Sequence, residues 1–238
     1  MTELTGMMES IAHRGVHDVF TENTIDAFQR AVDLGFDAVE LDVHVTADGV
    51  CVVNHDEDVV TPKFALSIRG TFFDTLHGAA PLVPRLDEVL DLVAGRAHVY
   101  LELKSRNVEP NVAEVLMASR AETSVHSFDH LSMLRMKRLV PTLRTGILQA
   151  SRLVDSGHAL RAAEATDLWQ WHEMIDRDLV EQVSAAGGRV IAWTANTPAD
   201  WRVFNDLGVA GICTDLPLRP SPVPPSSIPR SSALDATV

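Results

Sequence analysis

Eight short apolar runs, at 10–13, 38–44, 99–104, 124–127, 144–148, 167–171, 189–194 and 211–214, alternate with amphipathic stretches. Those stretches lie near 24–34, 85–93, 111–120, 130–139, 151–164, 177–186 and 198–207. Ile25, Phe28 and Val32 have helical spacing, as do Leu86, Val89, Leu90 and Val93. Strand–helix repetition calls for a parallel sheet with helices outside it. Eight strands in this rhythm predict an α/β fold closed into a (β/α)₈ TIM barrel rather than an open sheet. The stop signals agree. Gly35, Gly95, Gly187 and Gly208 each follow a helical stretch, and Thr197-Pro198 reads as an N-cap followed by a first-turn proline.

Two segments break the rhythm. Residues 49–55 read as an added strand after the second, in a hairpin turned by Asp48-Gly49. Residues 56–84 then form a long connection without periodicity, carrying Phe64, Phe72 and Phe73. It reads as a functional lid or as an apolar flap over one barrel end. The expected organisation is one barrel domain over 1–217, with 56–84 as a small insertion and 218–238 as a disordered, proline- and serine-rich tail.

The 238 residues suffice for one large domain or two small ones, and 46% hydrophobic with 22% charged is an ordinary soluble profile. The formal charge of −13 argues against nucleic acid and anionic lipid as partners, so an anionic substrate needs a local positive pocket. Residues 1–10 show no basic region followed by an apolar run, and no apolar stretch is long enough to span a bilayer. No stable membrane insertion and a cytoplasmic location are expected. Cys51 and Cys213 lie in apolar runs and read as buried free thiols.

Glu40 and Asp42 are two apart in an apolar strand, which puts both on one face and Val39, Leu41 and Val43 on the other. Glu102 repeats the device, with Lys104 on its face. Barrel interiors normally take branched apolar residues, and converging carboxylates repel unless a cation joins them or the site is wet. Oxygen-only donors suit one divalent cation, Mg²⁺ or Ca²⁺. An acidic face turned to solvent or paired with arginines is the alternative, and the second acidic strand weighs against it. His13 and His55 end strands near the carboxylates and are acid–base candidates. Arg14 offers a planar fork for a phosphate oxygen, and Lys104 a point charge. The other eight histidines read as surface or packing residues, although His126 and His172 also sit on late strands. Trp193 could pack on a small polyol, but plain core packing is favoured.

These motifs resemble those of the glycerophosphodiester phosphodiesterases. The family pattern runs His-Arg-Gly, Glu-Asn-Thr, Glu-x-Asp, Thr-x-Asp-Gly and His-Asp. Here it reads His13-Arg14-Gly15, Glu22-Asn23-Thr24, Glu40-Leu41-Asp42, Thr46-Ala47-Asp48-Gly49 and His55-Asp56. Later marks are Leu101-Glu102-Leu103-Lys104, Ser127-Phe128-Asp129, Trp193-Thr194-Ala195-Asn196 and Thr214-Asp215-Leu216-Pro217. The resemblance implies a TIM barrel with an insertion after the second strand, where 56–84 stands. It implies His13 and His55 as general acid and base, and one divalent cation on Glu40, Asp42 and Glu102. Arg14 and Lys104 would then grip the phosphate and Trp193 would contact the glycerol. Thr21 and Ala195 depart from the usual proline and valine without touching the chemistry, while the short insertion leaves the alcohol specificity open. The implied reaction takes a small glycerophosphodiester to glycerol-3-phosphate and an alcohol, directly or through a cyclic phosphate. A lysophospholipase D or sphingomyelinase D type of enzyme is the nearer rival, with Phe64, Phe72 and Phe73 as an apolar rim. A non-catalytic barrel binding phosphorylated polyols is the more distant one, since binding alone needs no histidine pair.

Overall fold

The structure, a computed structural model, describes residues 8–62 and 64–218. In chain order it runs β1 (Glu9–His13), α1 (Ile25–Asp33), β2 (Ala38–Val45), β3 (Cys51–Val53), β4 (Asp58–Val60), β5 (Ala65–Ser67), α2 (Phe73–Ala79), α3 (Leu86–Val93), β6 (His98–Leu103) and α4 (Glu109–Ala118). It continues with β7 (Thr123–Ser127), α5 (His130–Leu139), β8 (Arg144–Gln149), α6 (Ser156–Ala162), β9 (Asp167–Trp171), α7 (Arg177–Ala185), β10 (Arg189–Trp193), α8 (Pro198–Leu207) and β11 (Gly211–Thr214). Because β1 pairs with both β2 and β11, the eight parallel strands β1, β2 and β6 to β11 close into a TIM barrel. Each expected barrel strand is present to within one residue at either end. Among the helices the largest difference is α6, which begins only after Asp155; that side chain accepts the His158 amide at 2.7 Å and starts the helix there.

Strand alternation divides the core in two. Val39, Leu41, Val43, Leu101 and Leu103 face outward and pack with Phe28, Leu86, Leu90 and Val112 of the helices. Ile11, Ala38, Tyr100, Leu148, Trp169, Ile191 and Cys213 fill the barrel interior. Each fully buried aliphatic side chain contributes roughly 1.5–3 kcal/mol relative to exposure. The amino-terminal end of the barrel is plugged. Arg189 donates to Tyr100 Oη at 2.6 Å and to Asp167 at 2.8 Å, and the Tyr100 hydroxyl donates to Glu9 at 2.8 Å. Trp169 and this plug leave the carboxyl-terminal mouth as the wet end.

The hairpin after β2 is shorter than expected, with β3 spanning three residues, so His55 lies two residues past its end. The connection 56–84 is not structureless. It forms the antiparallel β4–β5 ribbon and α2 around a small cluster of Val52, Val59, Ile68, Leu76 and Val83. Strands of three residues and a helix of seven are shorter than any window in which periodicity shows. Phe64 and Phe72 are exposed, while Phe73 packs on this cluster beneath Arg85. Both cysteines are free and buried. No helix among the described residues is long and apolar enough to cross a membrane. The tail expected at 218–238 lies, from 219 on, outside the described residues.

Candidate active site

The turn after β1 builds the first part of the mouth. Arg14, Gly15 and Asn23 all have left-handed backbones, with φ of 55°, 78° and 58°. A Cβ on Gly15 would stand 2.7 Å from the Ala27 backbone, so the Val16 amide can reach the Ala27 carbonyl at 2.9 Å only with glycine there. Thr24 caps α1. This tight loop turns Arg14 toward β2, where its Nε lies 3.1 Å from Asp42 Oδ2 and its Nη1 donates to Glu22 at 2.8 Å. Asn23 donates to the same Asp42 oxygen at 2.9 Å. The Glu22-Asn23-Thr24 motif therefore orders Arg14 and Asp42.

Glu40, Asp42, Glu102 and Lys104 all face the mouth. Asp42 stands in register with Glu102, and Glu102 with His126 of β7. Lys104 Nζ lies 3.0 Å from Glu102 and 3.5 Å from Asp42. Three carboxylates thus meet two permanent cations, Arg14 and Lys104. Burial, joined by the charge of Glu40, pushes Asp42 up; burial pushes Glu102 up as well. Burial works the same way on Glu40, but His126, His13 and Arg14 outweigh it and hold that carboxyl below its ordinary value. Asp42 Oδ1 is buried and accepts no hydrogen bond among the described residues. Three buried carboxylates against two cations, with an Asp42 oxygen that meets only a distant ammonium, fit a divalent cation. The donors that come within 4.8 Å of one another are from Glu40, Glu102 and His126, while Asp42 is turned to Arg14, Lys104 and Asn23.

His13 closes β1 with its Nδ1 2.6 Å from Asp215 Oδ1 and its Nε2 4.0 Å from Glu40. Burial disfavours its charged form, but the Asp215 bond and the charge of Glu40 win and hold its pKa above the ordinary value. Asp215 is correspondingly held well below the carboxylate range by His13, although burial opposes this. Asn196 secures the other Asp215 oxygen at 2.7 Å. His55 has a parallel arrangement, with Nδ1 2.8 Å from Asp56 Oδ1. It reaches the mouth because β3 runs back along β2, the Asn54 amide donating to the Asp42 carbonyl at 3.0 Å. His44 Nε2, 3.1 Å from the His55 carbonyl, fastens that return. Asp215 and His44 were given no role from sequence, and His126 only a provisional one. The signal for His126 is the inward face it shares with Ser124, and for Asp215 it is the Thr214-Asp215-Leu216-Pro217 mark at the end of the last strand.

Trp193 is half-buried, edge-on to Phe128 at 5.7 Å and to Trp171 at 5.3 Å, and its buried Nε1 has no hydrogen-bond partner among the described residues. It forms a wall of the mouth as well as packing. Opposite, a cavity of about 370 Å³ opens between His44, His55, Arg69, Lys104 and Arg106.

A parallel TIM barrel whose carboxyl-terminal mouth gathers two histidines, two permanent cations and three carboxylates has the residue types of a phosphoester hydrolase. The comparisons narrow this. The model of the "Glycerophosphoryl diester phosphodiesterase family" matches residues 13–63 and 65–219. A glycerophosphodiester phosphodiesterase of Caldanaerobacter subterraneus subsp. tengcongensis is 34% identical over 227 residues, covering 87% of this chain and 93% of that protein. A solved glycerophosphodiester phosphodiesterase of Parabacteroides distasonis superposes with a TM-score of 0.78 at 26% identity, covering 88% of this chain and 93% of the other. An Oleispira antarctica phosphodiesterase, solved with the product sn-glycerol-3-phosphate, shares the fold with a TM-score of 0.79 at 24% identity, covering 89% and 94%. The chain belongs to the glycerophosphoryl diester phosphodiesterase family, and is an enzyme of that class.

Proposed function

We propose that the enzyme hydrolyses a small glycerophosphodiester to glycerol-3-phosphate and the free alcohol, with His13 and His55 exchanging the protons. The observation that carries this is the pair of imidazoles at one mouth, each anchored through Nδ1 on a carboxylate, at 2.6 and 2.8 Å. Anchoring at Nδ1 leaves Nε2 of each ring for substrate. Arg14 and Lys104 bind the phosphate oxygens, and Trp193 packs on the glycerol carbons. Glu40, Asp42 and Glu102 would hold one divalent cation, Mg²⁺ or Ca²⁺ by their oxygen chemistry, which when bound neutralises phosphate charge and acidifies the glycerol hydroxyl. One histidine takes the proton of the attacking hydroxyl, whether of the glycerol or of water, and the other protonates the departing alcohol. Where the glycerol hydroxyl attacks first, the two exchange roles as water opens the cyclic phosphate.

The cavity beside His55 is the berth of the departing alcohol. Two free buried thiols support a cytoplasmic setting. Phe64 and Phe72, 50% and 63% exposed, favour a lysophospholipid as the second reading. Turnover of glycerophosphocholine against lysophosphatidylcholine separates the two. His13→Ala and His55→Ala each lose at least about 10³-fold in kcat with unchanged thermal unfolding. Full activity in both variants sinks the acid–base assignment, and undiminished turnover after EDTA removes the cation.

A further inference from the structure

The cation reading above takes only oxygen donors, but a nitrogen stands among them. His126 Nε2 lies 3.7 Å from Glu40 Oε1, too long for a hydrogen bond. That spacing suits two donors about one ion, each at roughly 2.0–2.2 Å. One donor atom each from Glu40, Glu102 and His126 falls within 4.8 Å of the other two. The imidazole is 1% exposed and lies flat on Trp169, ring centroids 4.1 Å apart and planes 10° apart, which holds Nε2 toward the carboxylates. Its Nδ1 has no hydrogen-bond partner among the described residues, and Asp42 Oδ1 has only the Lys104 ammonium, 3.5 Å away, so the buried polar atoms of this layer are incompletely matched by protein. A histidine placed only to pack on Trp169 would not need its nitrogen beside a buried glutamate.

We infer that His126 is a nitrogen ligand of the cation, joining Glu40 and Glu102, and that the site therefore prefers a first-row transition ion to Mg²⁺ or Ca²⁺. This rests on the one-cation reading and alters its ligand set and its metal. Ca²⁺ gains little from an imidazole, whereas transition ions gain affinity from it. Mn²⁺ is the strictest probe because it binds most weakly of that series.

The experiment loads the full chain with Mn²⁺ and records pulsed EPR for ¹⁴N coupling, with calorimetric titrations of Mn²⁺ and Ca²⁺ on wild type, His126→Gln, His13→Gln and His55→Gln. The expected result is a directly bound imidazole nitrogen in wild type, His13→Gln and His55→Gln, absent in His126→Gln. The His126→Gln change weakens Mn²⁺ at least about tenfold and Ca²⁺ by less than about threefold. Should His126→Gln fail to fold, retention of the signal in both His13→Gln and His55→Gln supports His126, and its loss in either overturns it. Bound Mn²⁺ without nitrogen coupling, or coupling that survives in folded His126→Gln, overturns the histidine ligand and leaves the cation standing. Saturable binding of neither ion overturns both.

Discussion

Replacing Asp215 by asparagine tests how His13 is made to work. In the native site Asp215 accepts from His13 Nδ1 at 2.6 Å and from Asn196 Nδ2 at 2.7 Å. The Asn196 amide cannot turn, because its Oδ1 already accepts from the Asp215 amide at 2.9 Å and the Thr214 hydroxyl at 3.0 Å. An asparagine at 215 must therefore offer its oxygen to Asn196 and its NH₂ to His13. His13 Nδ1 becomes an acceptor, and the ring proton moves to Nε2, the nitrogen proposed to face substrate. The charge-assisted bond lost is worth about 1–2 kcal/mol between groups this exposed, so His13 binds its proton roughly tenfold less tightly. The tautomer is the larger effect, and together they should lower kcat by roughly 10²–10⁴ with KM little changed. Histidine ¹⁵N spectra read the tautomer directly, and kcat with glycerophosphocholine reads the consequence. If Asp215→Asn keeps the Nδ1–H tautomer, or stays within about threefold of wild-type kcat, the role given to Asp215 is wrong.

Two other perturbations probe the frame. Gly15→Ala combines φ of 78° with a Cβ 2.7 Å from the Ala27 backbone, so it should cost about 2–4 kcal/mol and lower Tm by roughly 5–15 °C in a thermal melt. A Tm within about 2 °C of wild type would mean that the turn yields. His98, half-buried at the plugged end of the barrel, is pushed down to about 4, first by burial and then by Arg144 and Arg189. Between about 4 and 6.5 the unfolded chain carries a proton there that the folded chain does not, so stability falls as pH drops through that window. After allowance for partial exposure the loss is about 2 kcal/mol, and unfolding free energies from urea melts at pH 7.5 and 4.5 should differ by that much more in wild type than in His98→Asn. Equal pH dependence in the two proteins would contradict it.

Legibility followed the range of the interactions. The strand rhythm, the caps and the alternation of Glu40 with Asp42 are local, and all stand in the structure as the sequence implies. The ribbon and helix within 56–84 escaped because each is too short to show a period. Asp215 and His126 escaped for another reason: a family mark contains the one and adjoins the other, but the role of each is set by partners far away in sequence. His126 gains its meaning from register, since standing level with Glu102 on the next strand is what brings its nitrogen to the carboxylates. Asp215 is 202 positions from His13 and meets it only because the ring closes β11 onto β1. That second contact was within reach of inference. A chain of eight βα units that closes must set its last strand beside its first. In this chain Ala12 pairs with Thr214, so the residue after each of these, His13 and Asp215, emerges at the same rim. An acidic residue just past the last strand, opposite a histidine ending the first, is therefore a partner to look for wherever a closed parallel barrel is predicted.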